Sequence, residues 1–385
     1  MRNLIAVLFL MLTFTFGVNA AEAAAVPGAD AFIDAVLTPI WNADRMRESV
    51  LFIQREGEAQ ASARLLFKPE KIISVSSATG EIAFESGTDF HFDEATATLR
   101  LVAGSRVPFK TTAELYPAAN SKAPKIGHKV GDPKTHLLFG EGTFYHRLQV
   151  EVAYSFAAGQ WKGYVPEFAA SVLPRTLKKL QEGKPLTICL SGDSISQGYN
   201  ATGFTKAPPF CPPYGELVAR GLEKKYGSKI NFKNFAIAGW SAGNGVKDVK
   251  KVMAENPDLV LIAYGMNDVG GRNTDGYKAN IQTIINEVRK TSPDAEFILV
   301  ASMLGNPEWS ALAMDFFPKY RDALKQLCGP GVALADMTAL WEELLKRKNF
   351  HDLTGNGVNH PNDFGHRLYA QTILALLIES KARAK

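Results

Sequence analysis

The chain has 385 residues, 46% of them hydrophobic and 21% charged, a globular composition long enough for two domains or one domain with an added module. Lys and Arg number 43 against 39 Asp and Glu, giving a net charge of +4. That charge is too mild to indicate a nucleic-acid partner, and no basic block is interleaved with aromatic residues.

The first residues pair a basic start, Met1-Arg2-Asn3, with an uncharged apolar stretch over 4–18 and the small-residue site Val18-Asn19-Ala20. This is the pattern of a secretory signal over residues 1–20, cleaved after Ala20. The apolar stretch is shorter than the roughly 20 residues a spanning helix needs, and no later stretch is long enough, so no stable membrane insertion is expected. No cysteine near the cleavage site suggests a lipid anchor. The expected product is soluble, secreted or periplasmic, with a net charge of +3. Three cysteines, Cys189, Cys211 and Cys328, leave at least one thiol unpaired. A Cys211–Cys328 bridge is compatible with the spacing without being demanded by it. No CxxC or HxxxH pair points to a metal.

Residues 25–172 read as β-rich. Short alternating runs at 49–53, 63–67, 71–75, 97–102 and 148–154 are separated by turn signals such as Thr79-Gly80 and Ser86-Gly87. Many short strands so punctuated predict an all-β sandwich or jelly-roll-like module. Tyr145, His146, Trp161 and Tyr164 could line a sugar-binding face there, but half-buried strand positions are the preferred reading. A helical segment within 173–185 then leads into residues 186–385. From 186 onward apolar strands at 186–190, 232–237, 259–264, 297–302 and 332–335 alternate with amphipathic stretches, for example Tyr277, Ile281, Ile284, Ile285 and Val288 at helical spacing. This rhythm predicts an α/β fold, a five-stranded parallel sheet with helices on both faces.

In such a sheet ligands bind beyond the carboxyl ends of the strands. Three predicted strand ends deliver polar groups there: Gly192-Asp193-Ser194, Ala238-Gly239-Trp240 and Gly265-Met266-Asn267-Asp268. Asn359-His360-Pro361-Asn362-Asp363 follows before the last helix. A hydroxyl, a backbone amide, a side-chain amide and an imidazole are the parts acyl transfer needs.

These blocks, in this order, resemble the SGNH (GDSL-type) hydrolase superfamily, from about Pro185 to the end of the chain. Gly192-Asp193-Ser194-Ile195-Ser196 is similar to the serine block, Gly239 to the glycine block, Gly265-Met266-Asn267-Asp268 to the G-x-N-D block and His360-Pro361 to the histidine block. The resemblance implies an SGNH/flavodoxin-like three-layer fold with Ser194 as nucleophile and His360 as general base. It further implies an oxyanion hole of the Ser194 and Gly239 amides with the Asn267 side chain. The family usually carries an aspartate three residues before the histidine, where this chain has Gly357. Asp352, Asn356, Asn359 and Asp363 are the local candidates for holding the ring, Asp352 being preferred as a carboxylate on the same glycine-flexed loop. A structural role for Asp352 in a turn competes with that reading.

Gly239-Trp240-Ser241-Ala242-Gly243 also spells the G-x-S-x-G elbow of α/β-hydrolases. Choosing Ser241 would leave two of the four blocks idle, so Ser194 takes precedence. Asn200-Ala201-Thr202 fits a glycosylation sequon, and His351 and His366 read as surface or helix-start residues. Arg272, Trp309 and Trp341 are candidates for the cleft rim. The two-part order resembles carbohydrate esterases with a jelly-roll module ahead of the hydrolase domain. The expected activity is therefore a secreted serine esterase removing short acyl groups, acetyl foremost, from carbohydrate. An O-acetyltransferase acting on an envelope polysaccharide, a lipase or thioesterase, and a non-catalytic glycan-binding protein are the alternatives. No metal, nucleotide or other cofactor is implied, since Ser–His chemistry needs none.

Overall fold

The computed structural model describes residues 28–379, so the leader expected over 1–20 lies outside the described residues. The second part of the chain is built on a five-stranded sheet. Its order is Ile230–Asn234, Leu186–Gly192, Leu259–Ala263, Glu296–Ala301, Val332–Asp336, and every adjacent pair is parallel. Period-two alternation along the strands feeds two cores. Leu259, Leu261, Ile298 and Val300 face a layer with Leu217, Leu222, Leu368 and Ile373 from the helices Tyr214–Tyr226 and Asp363–Leu377. Val260, Ile262, Phe297 and Leu299 face Val249, Ile281, Ile284 and Val288 from Ala242–Ala254 and Thr274–Thr291. With both faces covered, Leu259–Ala263 is apolar throughout and Glu296–Ala301 from Phe297 onward, whereas the edge strand Ile230–Asn234 is polar and largely exposed. The predicted three-layer α/β architecture is the observed one.

The first strand lies between the second and the third, so the chain leaves it in opposite directions on either side. In sheets of this order the ligand crevice lies at that switch point, beyond the carboxyl ends. Gly192 ends the first strand opposite Ala263. A side chain at 192 would run into Ser196 Oγ and the Ala263 carbonyl, which is why glycine stands two residues before Ser194.

The second strand sits earlier in the sequence than expected, at Ile230–Asn234 rather than 232–237. Asn234 stops it: Oδ1 accepts the Ala236 amide at 2.9 Å and Nδ2 donates to the Ser196 carbonyl at 2.8 Å. A side chain competing for backbone groups in this way ends a ladder. The connecting helix is Pro174–Gln181, and it is docked rather than free. Glu296, fully buried in the fourth strand, accepts the Arg175 and Thr176 amides at 3.1 and 2.8 Å. A carboxylate there satisfies amides that the helix leaves open.

The N-terminal part contains two packed sheets. One is antiparallel, ordered Arg45–Val50, Val150–Phe156, Pro69–Ser77, Ala83–Phe84. The other runs Phe90–Asp93, Thr98–Leu101, Ser62–Arg64, Phe52–Gln54, Phe109–Thr111. Their inner residues, among them Val75, Val152, Tyr154, Phe52, Leu99 and Leu101, share one core, giving the expected sandwich. Two α-helical segments depart from an all-β reading, the single turn Thr112–Leu115 and a longer helix before the first strand. Residues 29–37 form the helix Ala29–Leu37, whose Phe32, Ile33 and Val36 pack on the α/β part. Their spacing is helical, and their partners are the helices Tyr214–Tyr226 and Asp363–Leu377. The same core cluster runs unbroken from the sandwich into the α/β layer.

Further expectations are corrected by packing. Tyr145, His146 and Trp161 are more deeply buried than the half-buried positions expected, Tyr145 completely, and form no open sugar-binding face. Trp341 is a core residue rather than a rim residue. All three cysteines are free, so no Cys211–Cys328 bridge exists. Among the described residues no helix is long and apolar enough to cross a membrane.

Candidate active site

Ser194 begins a single helical turn, Ser194–Gln197, immediately after the first strand. Asp193 caps that turn, its Oδ1 accepting the Ile195 amide at 3.0 Å. Burial pushes the Asp193 carboxyl up to about 7, against the hydrogen bond from Ile195 and with the nearby Asp268 carboxylate adding to the rise. Asp193 is thus a loop-fixing group that faces no solvent.

His360 is carried by the loop before the helix Asp363–Leu377. Asn356 shapes that loop: its Oδ1 accepts the amides of Val358, Asn359 and His360 at 3.0, 3.0 and 3.1 Å. The ring is thereby aimed back over the sheet edge. Its Nε2 lies 2.9 Å from Ser194 Oγ, with the two residues only 6% and 5% exposed. The other nitrogen, Nδ1, faces two acceptors, Asn200 Oδ1 at 3.0 Å and Glu141 Oε2 at 3.2 Å.

Asn200 reveals which imidazole nitrogen carries the proton. Its Nδ2 donates to the Gly142 and Gly355 carbonyls at 3.1 and 3.0 Å, so its Oδ1 must face the ring as an acceptor. The proton therefore sits on Nδ1, leaving the Nε2 lone pair for the serine hydroxyl. This is the tautomer a general base requires. Asn200 is also buried in a left-handed conformation, with φ of 64°, so its amide is no glycosylation acceptor in the folded chain.

The Asp352 expectation is corrected. Its Oδ1 accepts the Leu51 amide at 2.7 Å, and its Oδ2 lies 3.3 Å from Lys348 Nζ, away from the imidazole. The competing reading, a residue that fixes a turn, describes it: Oδ2 also accepts the Asn349 amide at 3.0 Å. Asp363 is engaged with Thr202 at 2.8 and 2.7 Å, and Asn359 Oδ1 accepts from Asn356. None of the local candidates holds the ring.

The two other strand ends reach the same edge. Ile237 donates to the Gly192 carbonyl at 3.1 Å, and Ala238 to Gln197 Oε1 at 2.8 Å, which brings Gly239 alongside the Ser194 turn. Gly239 has φ of 78°, and the space where a side chain would stand is open. Asn267 is exposed, and its Nδ2 donates to the Trp240 carbonyl at 2.9 Å, leaving one amide hydrogen uncommitted. Asp268 accepts the Ala242 amide at 3.0 Å and so ties the second and third strand ends together. Burial raises its carboxyl to about 6. The rival nucleophile Ser241 is used otherwise: its Oγ donates to Asn244 Oδ1 at 2.9 Å at the start of the helix Ala242–Ala254.

Glu141 was not singled out from the sequence, and Asn200 was singled out for another reason. Both lie far along the chain from His360, 219 and 160 residues away, and only the fold brings them to it. His351 and His366, read as surface or helix-start residues, are both buried, and His366 does stand in the first turn of the helix Asp363–Leu377. Burial pushes each ring down to about 4, the Tyr199 carbonyl near His366 opposing it.

A serine hydroxyl against an imidazole whose far nitrogen is tied to acceptors, at the carboxyl edge of a parallel α/β sheet, brings together the parts that acyl transfer needs. Residues 190–368 match the model of the GDSL-like Lipase/Acylhydrolase family. No curated protein sequence matches the chain. Among solved structures, a two-domain esterase (CEX) active on acetylated mannans, co-crystallized with mannopentaose, is similar at 21% identity. That match covers 56% of this chain and 55% of the other, with a TM-score of 0.44. A catalytic mutant of an acetylxylan esterase from Geobacillus stearothermophilus is similar at 24% identity over 52% of this chain and 97% of its own, TM-score 0.41. A carbohydrate esterase of family 3 from Talaromyces cellulolyticus follows at 19% identity, 49% and 94%, TM-score 0.39. The chain thus spans about half the length of the two-domain esterase it matches.

Proposed function

We propose that the chain is an exported serine esterase that releases acetyl groups from carbohydrate. The observation that carries the chemistry is the 2.9 Å contact from His360 Nε2 to Ser194 Oγ, with Nδ1 committed as a donor. In the proposed reaction Nε2 takes the serine proton as Oγ attacks the ester carbonyl. The Ser194 and Gly239 amides and the free Asn267 Nδ2 hydrogen receive the oxyanion. Collapse expels the sugar alkoxide, which takes the proton from the imidazolium. Water, deprotonated by the same Nε2, then releases acetate from the acyl-enzyme and restores Ser194.

The carbohydrate part of the reading is supported by the two-part organisation that resembles carbohydrate esterases and by aromatic faces beside the site. Tyr199 stands edge-on to His360 at 5.2 Å, Phe204 packs 5.1 Å from Tyr199 and remains 39% exposed, and Phe210 is 55% exposed. Aromatic rings next to a serine suit the CH faces of a pyranose. Acetate release from acetylated xylan, acetylated mannan and 4-nitrophenyl acetate tests the proposal, beside esters of longer acyl chains. Ser194→Ala abolishes release if the reading holds. Activity retained in Ser194→Ala and lost in Ser241→Ala would defeat it, and a preference for long acyl chains would replace the sugar ester by a lipid one.

A further inference from the structure

We infer that the β-rich N-terminal part is a working half of the active centre, its Glu141 serving as the positioning carboxylate for His360. This rests on the Ser194–His360 reading above and assigns the group that completes it.

The place where the resembled family keeps its aspartate is filled. Gly357 has φ of 94°, and a Cβ built there would lie 2.5 Å from Tyr145 Oη, with the Leu138 carbonyl closer still. Tyr145 is fully buried and donates to that same carbonyl at 3.0 Å, so neither neighbour can give way. No side chain of any kind fits at 357. The segment that excludes it, 138–145, is the one that carries Glu141.

Glu141 is held for the task. Gly140 donates its amide to the Asn356 carbonyl at 3.2 Å, and Asn356 Nδ2 donates to Glu141 Oε1 at 3.0 Å, leaving Oε2 for His360 Nδ1. Asn356 thus grips the catalytic loop with its oxygen and Glu141 with its nitrogen. Burial alone would raise the Glu141 carboxyl. The hydrogen bonds from His360 Nδ1 and Asn356 Nδ2, with the pull of the ring once it is protonated, outweigh burial and hold it below the ordinary glutamate value. The carboxylate form is therefore the one that faces the ring.

Two acceptors share one Nδ1 proton, and they are not equivalent. Asn200 Oδ1 is neutral and fixes the tautomer. Glu141 carries the negative charge that offsets the imidazolium formed when Nε2 accepts the serine proton. Three further contacts fasten the β-rich part to the catalytic loop. Gln149 Nε2 donates to the His351 and Thr354 carbonyls, both at 2.8 Å, and Asn362 Nδ2 donates to Gln149 Oε1 at 3.1 Å.

The test uses the full chain with Glu141→Gln and Glu141→Asp, assayed on 4-nitrophenyl acetate beside wild type and Ser194→Ala. Replacing the triad carboxylate by an amide in a serine protease costs about 10⁴-fold. Since Asn200 still accepts here, the expected loss in kcat for Glu141→Gln is about 100-fold, with KM held within about twofold. Glu141→Asp, which keeps the charge, recovers activity to within about tenfold of wild type. Proton NMR supplies a readout independent of turnover. The His360 Nδ1 proton, identified by its loss in His360→Ala, moves upfield in Glu141→Gln and stays in place in Ser194→Ala. An unmoved Nδ1 signal with kcat within about twofold of wild type in Glu141→Gln would overturn the inference. If Ser194→Ala keeps wild-type hydrolysis, the esterase reading fails, while the Nδ1 signal still decides Glu141.

Discussion

Lys348 offers a prediction whose size can be worked from the packing. Its side chain is fully buried where the β-rich part meets the α/β part. Its ammonium lies 2.5 Å from Glu48 Oε2 and 3.3 Å from Asp352 Oδ2, and it donates to the Ser49 and Arg64 carbonyls at 3.1 and 3.4 Å. Lys348→Met preserves length and removes the charge, leaving two carboxylates buried against each other. Breaking a buried ion pair by deleting one partner costs about 3–5 kcal/mol, and here one cation serves two anions, so about 4 kcal/mol is expected. At the unfolding entropy typical per residue, that lowers the melting temperature by roughly 5 °C. The pH dependence has a definite sign. Burial already raises the Asp352 carboxyl, against the pull of the Lys348 charge, and losing that charge raises it further. A group whose folded-state pKa is raised stabilises the fold below its unfolded value, and that contribution is lost as pH rises. The deficit is therefore full near neutral pH and shrinks as pH falls toward about 4. Urea unfolding of both proteins across that range, followed by circular dichroism, measures it. A deficit below about 1 kcal/mol at neutral pH, or one that grows on acidification, would refute the reasoning.

Three further outcomes are expected. Asn356→Ala leaves the Val358, Asn359 and His360 amides without their acceptor; at about 1–3 kcal/mol per buried orphan, unfolding should show a loss of at least about 3 kcal/mol, with kcat falling as the loop loosens. Asn267→Ala removes a proposed oxyanion donor on an exposed side chain and should lower kcat by about 10²–10³-fold with the melting temperature unchanged. His351 is buried between aromatic rings with neither ring nitrogen hydrogen bonded, and burial holds it at about 4. A base depressed on folding stabilises above its unfolded value, so stability is lost as pH falls from about 6.5 toward 4, by up to roughly 3 kcal/mol. His351→Phe should flatten that acid-side slope in urea titrations at several pH values.

The sheet, its helices and the serine, glycine, Asn–Asp and histidine blocks were legible in the sequence because each rests on local pattern. Apolar strands of the right length, helical spacing such as Tyr277–Ile281–Ile284–Val288 and polar residues at strand ends are all read within a few positions. The carboxylate behind His360 was not legible. Chain proximity favoured Asp352, eight residues before the histidine, yet the buried Lys348 draws that carboxylate under the neighbouring turn. Glu141 sits on a loop of the β-rich part with no motif around it. The one pointer was negative: Gly357 at the family's aspartate position. Its steric cause, Tyr145 and Leu138, belongs to tertiary packing. Asn200 shows the same limit from the other side, since its sequon is a property of three residues and its burial a property of the fold. The helix Ala29–Leu37 is short and stands directly before a strand-rich region, and the helices that cover its apolar face, Tyr214–Tyr226 and Asp363–Leu377, lie far along the chain from it.

Fluorophosphonate labelling of the full chain, mapped by mass spectrometry, tests the central claim most directly. The adduct is predicted on Ser194, with labelling suppressed in His360→Ala under the same exposure. An adduct on Ser241, or Ser194 labelling that proceeds equally fast without the imidazole, would contradict it.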